Sequence, residues 1–544
     1  MEEILLNKLG EKIILLGNEA IVRGALEVGV NFVSTYPGTP ASEIGDTFFK
    51  IAKKVGVYFE YSTNEKVALE AGIGASFSGL KTLVAMKDFG LNVCLDALGP
   101  FLYTGVKGPT VIVVADDPSC HSSAQWEENS RAIAYLAHIP VLEPSDPQEC
   151  KDFVKLGFEI SEKFKIPVMI RTTTRVAHQR MPVILGKIQS SKSEIQKGKF
   201  IKEPKRFVTL PPRVLEMKKE LLEKIEKIRE FSEKNKINSI LRGSASEGLG
   251  IITSGISYLY VMEALKELNL YLPVLKLGFF YPLPEKKIKN FIKSFKKVLV
   301  VEELNPYLER EIERLAKSIN PELQILGKNL IPEVGELKPE IVTVAIAKFT
   351  NKKFNIQYSR FKIRALKRFP QLCPGCPYWF VFAAIKKAVD TKKVIFGGDI
   401  GCYMLFGLPP LNIQDYLSCM GSSVGIAHGI KKATGQKLIA LIGDSTFFHA
   451  GIPAVINTVF NKSNPLIIIL DNQTTAMTGH QPHPGAPAIP NGIKIEDIVK
   501  ACGVKNLKVI DPINQKEFIN TVKGFLNKKE VSVIVARHPC KFVR

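Results

Sequence analysis

The 544-residue chain has no apolar run long enough to cross a bilayer. Its strongest apolar stretches, Val111 to Ala115 and Leu466 to Leu470, fall far short of the roughly 18 residues a membrane helix needs. The start, Met1-Glu2-Glu3-Ile4, lacks the basic residues that open a signal peptide. No membrane association and a cytoplasmic location are therefore expected. There is no Walker-type phosphate loop, and the scattered glycines form no G-x-G-x-x-G after a strand, which removes the usual nucleotide fingerprints. Short repeats and low-complexity tracts are absent too. With 45% hydrophobic and 23% charged residues, the composition excludes disorder as the main state. Nine cysteines, an odd number spread over a long chain, argue against a disulfide framework and for thiols or metal ligands.

What is present is a basic excess, 74 Lys and Arg against 53 Asp and Glu, net +21. Much of it sits in amphipathic helical stretches such as Arg213 to Lys236, where Lys and Glu alternate, so no nucleic-acid partner is expected. The charge suits anionic ligands or an acidic protein partner attracted at long range. At about 150 residues per domain the length predicts three or four domains. Strand-like runs alternate with helical patterns almost throughout, the mark of parallel α/β architecture. A first block spans 1–185, with strands at Asn31 to Tyr36 and Thr110 to Ala115 and a helix of small residues running to Ser78. A charged connecting segment covers 186–242. A second block covers 243–350, with strands at Leu249 to Thr253 and Lys297 to Val301. The last block, 351–544, contains the basic stretch Arg360 to Arg368. Its strands lie near Val394 to Phe396, Lys437 to Ile442, Leu466 to Leu470 and Val531 to Ala536.

The strongest chemical signal is Gly443-Asp444-Ser445 at the end of one apolar strand and Asp471-Asn472-Gln473-Thr474 at the end of the next. In a parallel sheet both strand ends emerge on the carboxyl edge, where ligands bind. Mg²⁺ prefers hard oxygen ligands in an octahedron, so Asp444, the Asn472 amide and a loop carbonyl near Thr474 would leave room for a diphosphate. The same residues also read as ordinary strand-end caps. A second signal is Glu65 at the start of the helix Glu65-Lys-Val-Ala-Leu-Glu-Ala-Gly72-Ile-Gly74-Ala-Ser76. A carboxylate there can be buried at an interface, hydrogen-bonded to a heterocycle nitrogen and raised in proton affinity by desolvation. It can equally be an acid facing the helix dipole. A third is cysteine. Cys373-x-x-Cys376 is a two-ligand hairpin, Cys402 follows a strand and Cys540 follows the last one, so four thiolates can converge, the number a [4Fe–4S] cluster requires. A structural zinc site is the rival, and Cys419 can stand in for one ligand. Cys94, Cys120, Cys150 and Cys502 read as apolar thiols.

The two halves together resemble a known family. The span from Gly443-Asp444-Ser445 to Asn472 is similar to the thiamine-diphosphate motif, and Glu65 resembles that superfamily's activating glutamate. Further strings narrow the likeness: Tyr36-Pro-Gly-Thr39-Pro40, Asn64-Glu65-Lys66, Tyr103-Thr-Gly-Val-Lys-Gly108, Ala115-Asp-Asp-Pro118, His121-Ser-Ser, Leu142-Glu-Pro-Ser-Asp-Pro147, Cys373-Pro-Gly-Cys376-Pro and Ala476-Met-Thr-Gly-His-Gln-Pro-His-Pro-Gly485. They resemble the large (alpha) subunits of indolepyruvate ferredoxin oxidoreductases, from near residue 10 to the C-terminus.

That resemblance implies a multidomain α/β fold with pyrimidine- and diphosphate-binding parallel-sheet domains and a transketolase-C-like domain. It implies thiamine diphosphate and Mg²⁺ held by Gly443, Asp444, Ser445, Asn472, Thr474 and Gly421, with Asp444, Asn472 and Thr474 the metal ligands. Cys373, Cys376, Cys402 and Cys540 would hold one [4Fe–4S] cluster, and coenzyme A would accept the acyl group. Glu65 would favour the imino tautomer whose nitrogen removes the thiazolium C2 proton. The carbanion would attack an arylpyruvate, carbon dioxide would leave, and the enamine would give up two electrons through the cluster. Thr39 would hydrogen-bond the substrate. Among the histidines near motifs, His121 and His480 rank above His449 and His483 as proton donors or phosphate contacts. Implied partners are a small (beta) subunit, in a heterotetramer of two large and two small subunits, and a separate acidic ferredoxin. The last follows because no repeated Cys-x-x-Cys-x-x-Cys-x-x-x-Cys-Pro motif of a fused ferredoxin domain is present. The alternatives are a non-oxidative thiamine-dependent 2-oxoacid decarboxylase and a non-catalytic, zinc-stabilised subunit.

Overall fold

The structure is a computed structural model that describes residues 3–122, 125–189, 194–243, 248–353, 370–487, 489 and 492–543. The basic stretch Arg360 to Arg368 and Ser123 of the His121-Ser-Ser string lie outside the described residues. The chain divides into two units, Met1–Arg360 and Phe361–Arg544.

In the first unit a seven-stranded sheet runs in the order Phe279–Tyr281, Val141–Leu142, Val168–Thr173, Thr110–Asp116, Thr82–Lys87, Phe32–Thr35, Tyr58–Tyr61. All neighbours are parallel except Phe279–Tyr281, which pairs antiparallel with Val141–Leu142. Central strands such as Thr82–Lys87 and Thr110–Asp116 are buried along their whole length, as a parallel sheet covered on both faces demands. The crossover helices Glu65–Phe77, Asp88–Thr104 and Pro147–Phe164 lie between its strands in sequence. Two further strands, Lys12–Leu16 and Arg180–Ile184, form an antiparallel ribbon.

A second, five-stranded sheet in this unit runs Gln324–Leu326, Lys297–Val301, Leu249–Ser254, Val274–Leu277, Ser239–Leu241, parallel but for the last strand. Ile251, Leu299 and Val301 pack into the same core as the first sheet, while Ile252, Leu275 and Val300 form a separate cluster on the other face. A buried charge network ties the two sheets together. Arg131 reaches Glu143 at 2.6 Å and Glu302 at 2.7 Å, and Arg171 reaches Glu143 at 3.0 Å and Asp116 at 2.7 Å. Burial opposes ionisation of Glu143, but Arg131 and Arg171 outweigh it and hold the carboxyl at about 2. The charged segment before the second sheet contains the helix Arg213–Lys234, whose buried Met217, Leu221, Ile225 and Ile228 recur at helical spacing and leave the Lys and Glu residues on the other faces.

The second unit is one five-stranded, fully parallel sheet, Ile395–Gly397, Leu438–Gly443, Leu466–Asp471, Ser532–Arg537, Asn506–Ile510. Alternate residues of its central strands enter two different cores. Leu441, Ile468 and Ile534 face one, and Ile442, Ile469 and Val535 face the other. Every strand therefore points its carboxyl end to the same edge. Among the described residues no helix is long and apolar enough to cross a membrane.

Candidate active site

In the second unit the carboxyl edge gathers the Gly-Asp-Ser and Asn-Gln-Thr segments. The strand Leu438–Gly443 ends where Gly443 N–H donates to the Tyr403 hydroxyl at 2.7 Å, and a Cβ on Gly443 would lie 2.9 Å from the Tyr403 ring. Asp444 follows, buried. Its Oδ1 accepts from Ser445 N–H at 2.7 Å, and its Oδ2 accepts from Gln473 N–H at 2.7 Å with His483 Nε2 at 3.1 Å. The chain then winds into a π-helical turn, Phe447–Gly451, of a kind frequent beside functional sites. Asn472 Oδ1 accepts from Thr474 N–H at a long 3.3 Å, and the Thr475 hydroxyl lies 3.0 Å from that of Ser445. Asp444, Ser445, Asn472, Thr474 and His483 are all buried.

Beside them Asp399, fully buried, accepts N–H groups from Ile400, Gly421 and Ser423 at 2.8, 2.7 and 2.8 Å. It thereby holds the turn into the helix Ser422–Thr434. Gly421 sits at φ +88°, where a Cβ would also press on Ala450 at 2.5 Å, so only glycine fits. Burial pushes the Asp399 carboxyl up despite those three donors. Asp471 is likewise raised, by burial and then by the Asp444 charge, while Arg537 at 2.6 Å opposes the shift.

The cysteines occupy the same unit. Cys540 N–H donates to the Asn472 carbonyl at 2.9 Å, and Cys376 N–H to the Cys373 carbonyl at 3.1 Å. Burial pushes the Cys376 thiol up to about 11, with Cys373 and Cys540 adding to the rise. Cys402 is pushed to about 12, again by burial first, with Cys376, Cys540 and Cys373 adding. Cys373 and Cys540 thus lie near enough to raise the Cys376 and Cys402 thiols. Among the described residues, however, no three His, Cys, Asp or Glu side chains close into a metal-holding geometry. Cys419 is exposed. His480 is exposed as well, at φ +64°, with its ring 6.0 Å from that of Phe542.

In the first unit the seven-stranded sheet presents its own carboxyl edge. The loop after Phe32–Thr35 carries Thr39, whose hydroxyl lies 3.4 Å from that of Ser42. Glu65, buried, opens its helix behind the cap Asn64, which accepts Val67 N–H at 2.9 Å. The helix can approach its neighbours because it is built of small residues. A Cβ on Gly72 would lie 2.6 Å from Val84 Cγ2, and one on Gly90 of the next helix 2.9 Å from Glu65 Oε1. The next strand ends at Lys87, with Asp88 opening the helix that follows, and the one after ends at Asp116, followed by Asp117. Burial, reinforced by the Asp116 charge, pushes Asp88 up to about 8. His121 remains 55% exposed, with Nε2 3.6 Å from Glu336 Oε2.

Sequence reasoning missed Asp399, Tyr403 and Lys87, and placed His480 ahead of His483, which is the one beside Asp444. Asp399 had a readable signal, since Phe396-Gly-Gly-Asp399 repeats the strand–glycine–aspartate pattern of Ile442-Gly443-Asp444. His483 had none beyond its place in the Ala476 to Gly485 string.

Residues 23–234 match the family described as pyruvate flavodoxin/ferredoxin oxidoreductase, thiamine diphosphate-binding, and 399–536 match the C-terminal binding domain of thiamine pyrophosphate enzymes. Indolepyruvate oxidoreductase subunit IorA of Methanothermobacter thermautotrophicus is 44% identical over 99% of this chain and 88% of its own length. The IorA subunit of Pyrococcus abyssi is 45% identical over 99% of this chain and 87% of its own. The 2-oxoglutarate synthase subunit KorA of Archaeoglobus fulgidus is 27% identical over 59% of this chain and 96% of its own. The solved 2-oxoglutarate:ferredoxin oxidoreductase of Magnetococcus marinus shares the fold, at TM-score 0.51 and 19% identity over 62% of this chain and 65% of that one.

Proposed function

We propose, from the premise that this chain belongs to the family of indolepyruvate oxidoreductase IorA subunits, that its substrate is an aryl 2-oxoacid, indolepyruvate first among them. It is the large subunit of a thiamine-diphosphate-dependent 2-oxoacid:ferredoxin oxidoreductase and works in a complex with other subunits. The observation that carries the aryl assignment is the contrast in likeness, 45% over 99% of the chain to an IorA subunit against 27% over 59% to a 2-oxoglutarate synthase subunit.

The residues present fit the cofactor. Asp444, Asn472 and Thr474 offer hard oxygens of the kind Mg²⁺ takes alongside diphosphate oxygens, and Asp444 Oδ1, engaged by Ser445 N–H, keeps acceptor capacity, while Oδ2 is met by Gln473 N–H and His483. Gly443 and Gly421 let Tyr403 and Ala450 pack against the turns that carry Asp444 and the helix Ser422–Thr434. When bound, thiamine diphosphate supplies the electron sink that lets a 2-oxoacid lose carbon dioxide. His483 and Gln473 N–H orient the Asp444 carboxylate, and Ser445 offers a hydroxyl at the start of its helix. Glu65 holds and moves a proton at the aminopyrimidine nitrogen. Thr39 hydrogen-bonds the substrate, and His121 and His480 serve as proton donors or phosphate contacts.

Cys373, Cys376, Cys402 and Cys540 would hold one [4Fe–4S] cluster, which would supply one-electron transfer toward an acidic ferredoxin suited to the net charge of +21. Coenzyme A accepts the acyl group. The complex is read as two large and two small subunits. The test is turnover of the purified complex with indolepyruvate, phenylpyruvate, pyruvate and 2-oxoglutarate. The two arylpyruvates should show kcat/KM at least about tenfold above the others, a margin a hydrophobic pocket readily supplies. A preference for 2-oxoglutarate would refute the assignment.

A further inference from the structure

At the middle of the first unit's carboxyl edge one cation stands apart from the roles assigned above. Lys87 ends the strand Thr82–Lys87, whose neighbours Phe32–Thr35 and Thr110–Asp116 lead into the Thr39 loop and the His121 loop. Its stem lies against the Thr39 loop, for a Cβ on Gly38 would sit 2.9 Å from Lys87 Cβ. Three residues on, Gly90 faces the Glu65 carboxyl. The side chain is buried to about nine-tenths.

Its ammonium donates to Ser122 Oγ at 3.0 Å and to the Ser122 carbonyl at 3.3 Å. Ser122 Oγ in turn lies 2.8 Å from the Thr39 carbonyl, so a single hydroxyl joins the lysine to the loop. Asp117 Oδ2, at 3.5 Å, is beyond hydrogen-bond reach of the ammonium. That carboxylate is already served by Ser122 N–H at 2.8 Å, Ser122 Oγ at 2.5 Å and the Thr174 hydroxyl at 2.7 Å. An ammonium has three donors. Two are used; the charge also faces the Asp117 carboxylate at 3.5 Å and the Phe89 ring at 5.0 Å, and among the described residues the third donor has no further acceptor at hydrogen-bond distance.

We propose that Lys87 is the cation that receives the carboxylate of the 2-oxoacid substrate. The inference rests on the reading of the chain as a 2-oxoacid oxidoreductase and adds to it a residue that binds the carboxylate common to all 2-oxoacids. A charge-assisted hydrogen bond from a desolvated ammonium suits a carboxylate. The carboxylate carries its full charge in the bound substrate and loses it as carbon dioxide forms. The contact therefore stabilises the bound state no less than the transition state, and its loss belongs in KM rather than kcat.

The experiment compares the holo-complex with its Lys87→Met and Lys87→Arg variants, measuring steady-state kinetics on indolepyruvate and thiamine diphosphate affinity by calorimetry. Lys87→Met should raise KM about 10- to 100-fold, the worth of one charge-assisted bond. It should leave kcat within about threefold and cofactor affinity unchanged, and Lys87→Arg should recover at least part of the KM. An unchanged KM in Lys87→Met would overturn the proposal while leaving the oxidoreductase reading intact. So would a fall in cofactor affinity parallel to the KM change, because that marks a residue that only shapes the loop. Absence of turnover of any 2-oxoacid by the unaltered complex would instead refute the parent reading, and this inference with it. Should Lys87→Met fail to fold, Lys87→Gln takes its place with the same expectations.

Discussion

Asp444 serves two ends of one carboxylate. Its oxygens hold the Ser445 and Gln473 amides, and under the proposed function the same carboxylate would bind the metal. Asp444→Ala should abolish Mg²⁺-dependent thiamine diphosphate binding in calorimetry. The cost in folding stability should stay near 1–3 kcal/mol, since it unmakes buried hydrogen bonds without opening a core. Tight binding retained in that variant would contradict the metal assignment. Asp88 allows a pH test. Its carboxyl is raised to about 8 in the folded protein, mainly by burial and then by Asp116, so the folded state holds its proton where the unfolded chain has released it. The stability this contributes is complete below about pH 4, the ordinary aspartate value, and is lost as pH rises through 8. Between pH 5.5 and 8.5 the melting temperature of the unaltered protein should fall more than that of Asp88→Asn. Equal falls would refute the assignment.

The helix Glu65–Phe77 offers a paired experiment in packing. A Cβ at Gly72 would lie 2.6 Å from Val84 in the adjacent strand, whereas one at Gly74 would meet nothing within 4 Å. Gly72→Ala should therefore destabilise by roughly 1–3 kcal/mol through overpacking. Gly74→Ala should stabilise by about 0.5–1 kcal/mol by relieving the entropy cost of a helical glycine. Denaturant titration separates the two, and similar signs would mean the helix does not sit against Val84 as described. This helix was legible in the sequence because its small residues recur at its packed face, and so were Leu466–Asp471 and Ser532–Arg537, as continuous apolar runs. Phe279–Tyr281 was not. A three-residue strand carries no periodicity of its own, and its place beside Val141–Leu142 depends on a partner well over a hundred residues earlier. The antiparallel ribbon of Lys12–Leu16 with Arg180–Ile184 escaped for the same reason.

The candidate site divides along the same line. Asp444 and Asn472 could be read because each ends an apolar strand, and two parallel strands share an edge. Lys87 could not, and His483 was named only as a lower-ranked candidate, because their positions depend on contacts 35 and 39 residues away in the chain, with Ser122 and Asp444. In the second unit the Asn472 carbonyl accepts Cys540 N–H, so the segment proposed to bind the diphosphate is hydrogen-bonded to one proposed to carry electrons. That contact would couple decarboxylation to electron transfer. The most direct measurement is the number of electrons delivered to ferredoxin per carbon dioxide released when the anaerobic complex acts on indolepyruvate with and without coenzyme A. Two electrons are expected for each carbon dioxide, with sustained turnover only when coenzyme A is present. Carbon dioxide released at an undiminished rate with no ferredoxin reduced would contradict this coupling and identify a non-oxidative decarboxylase.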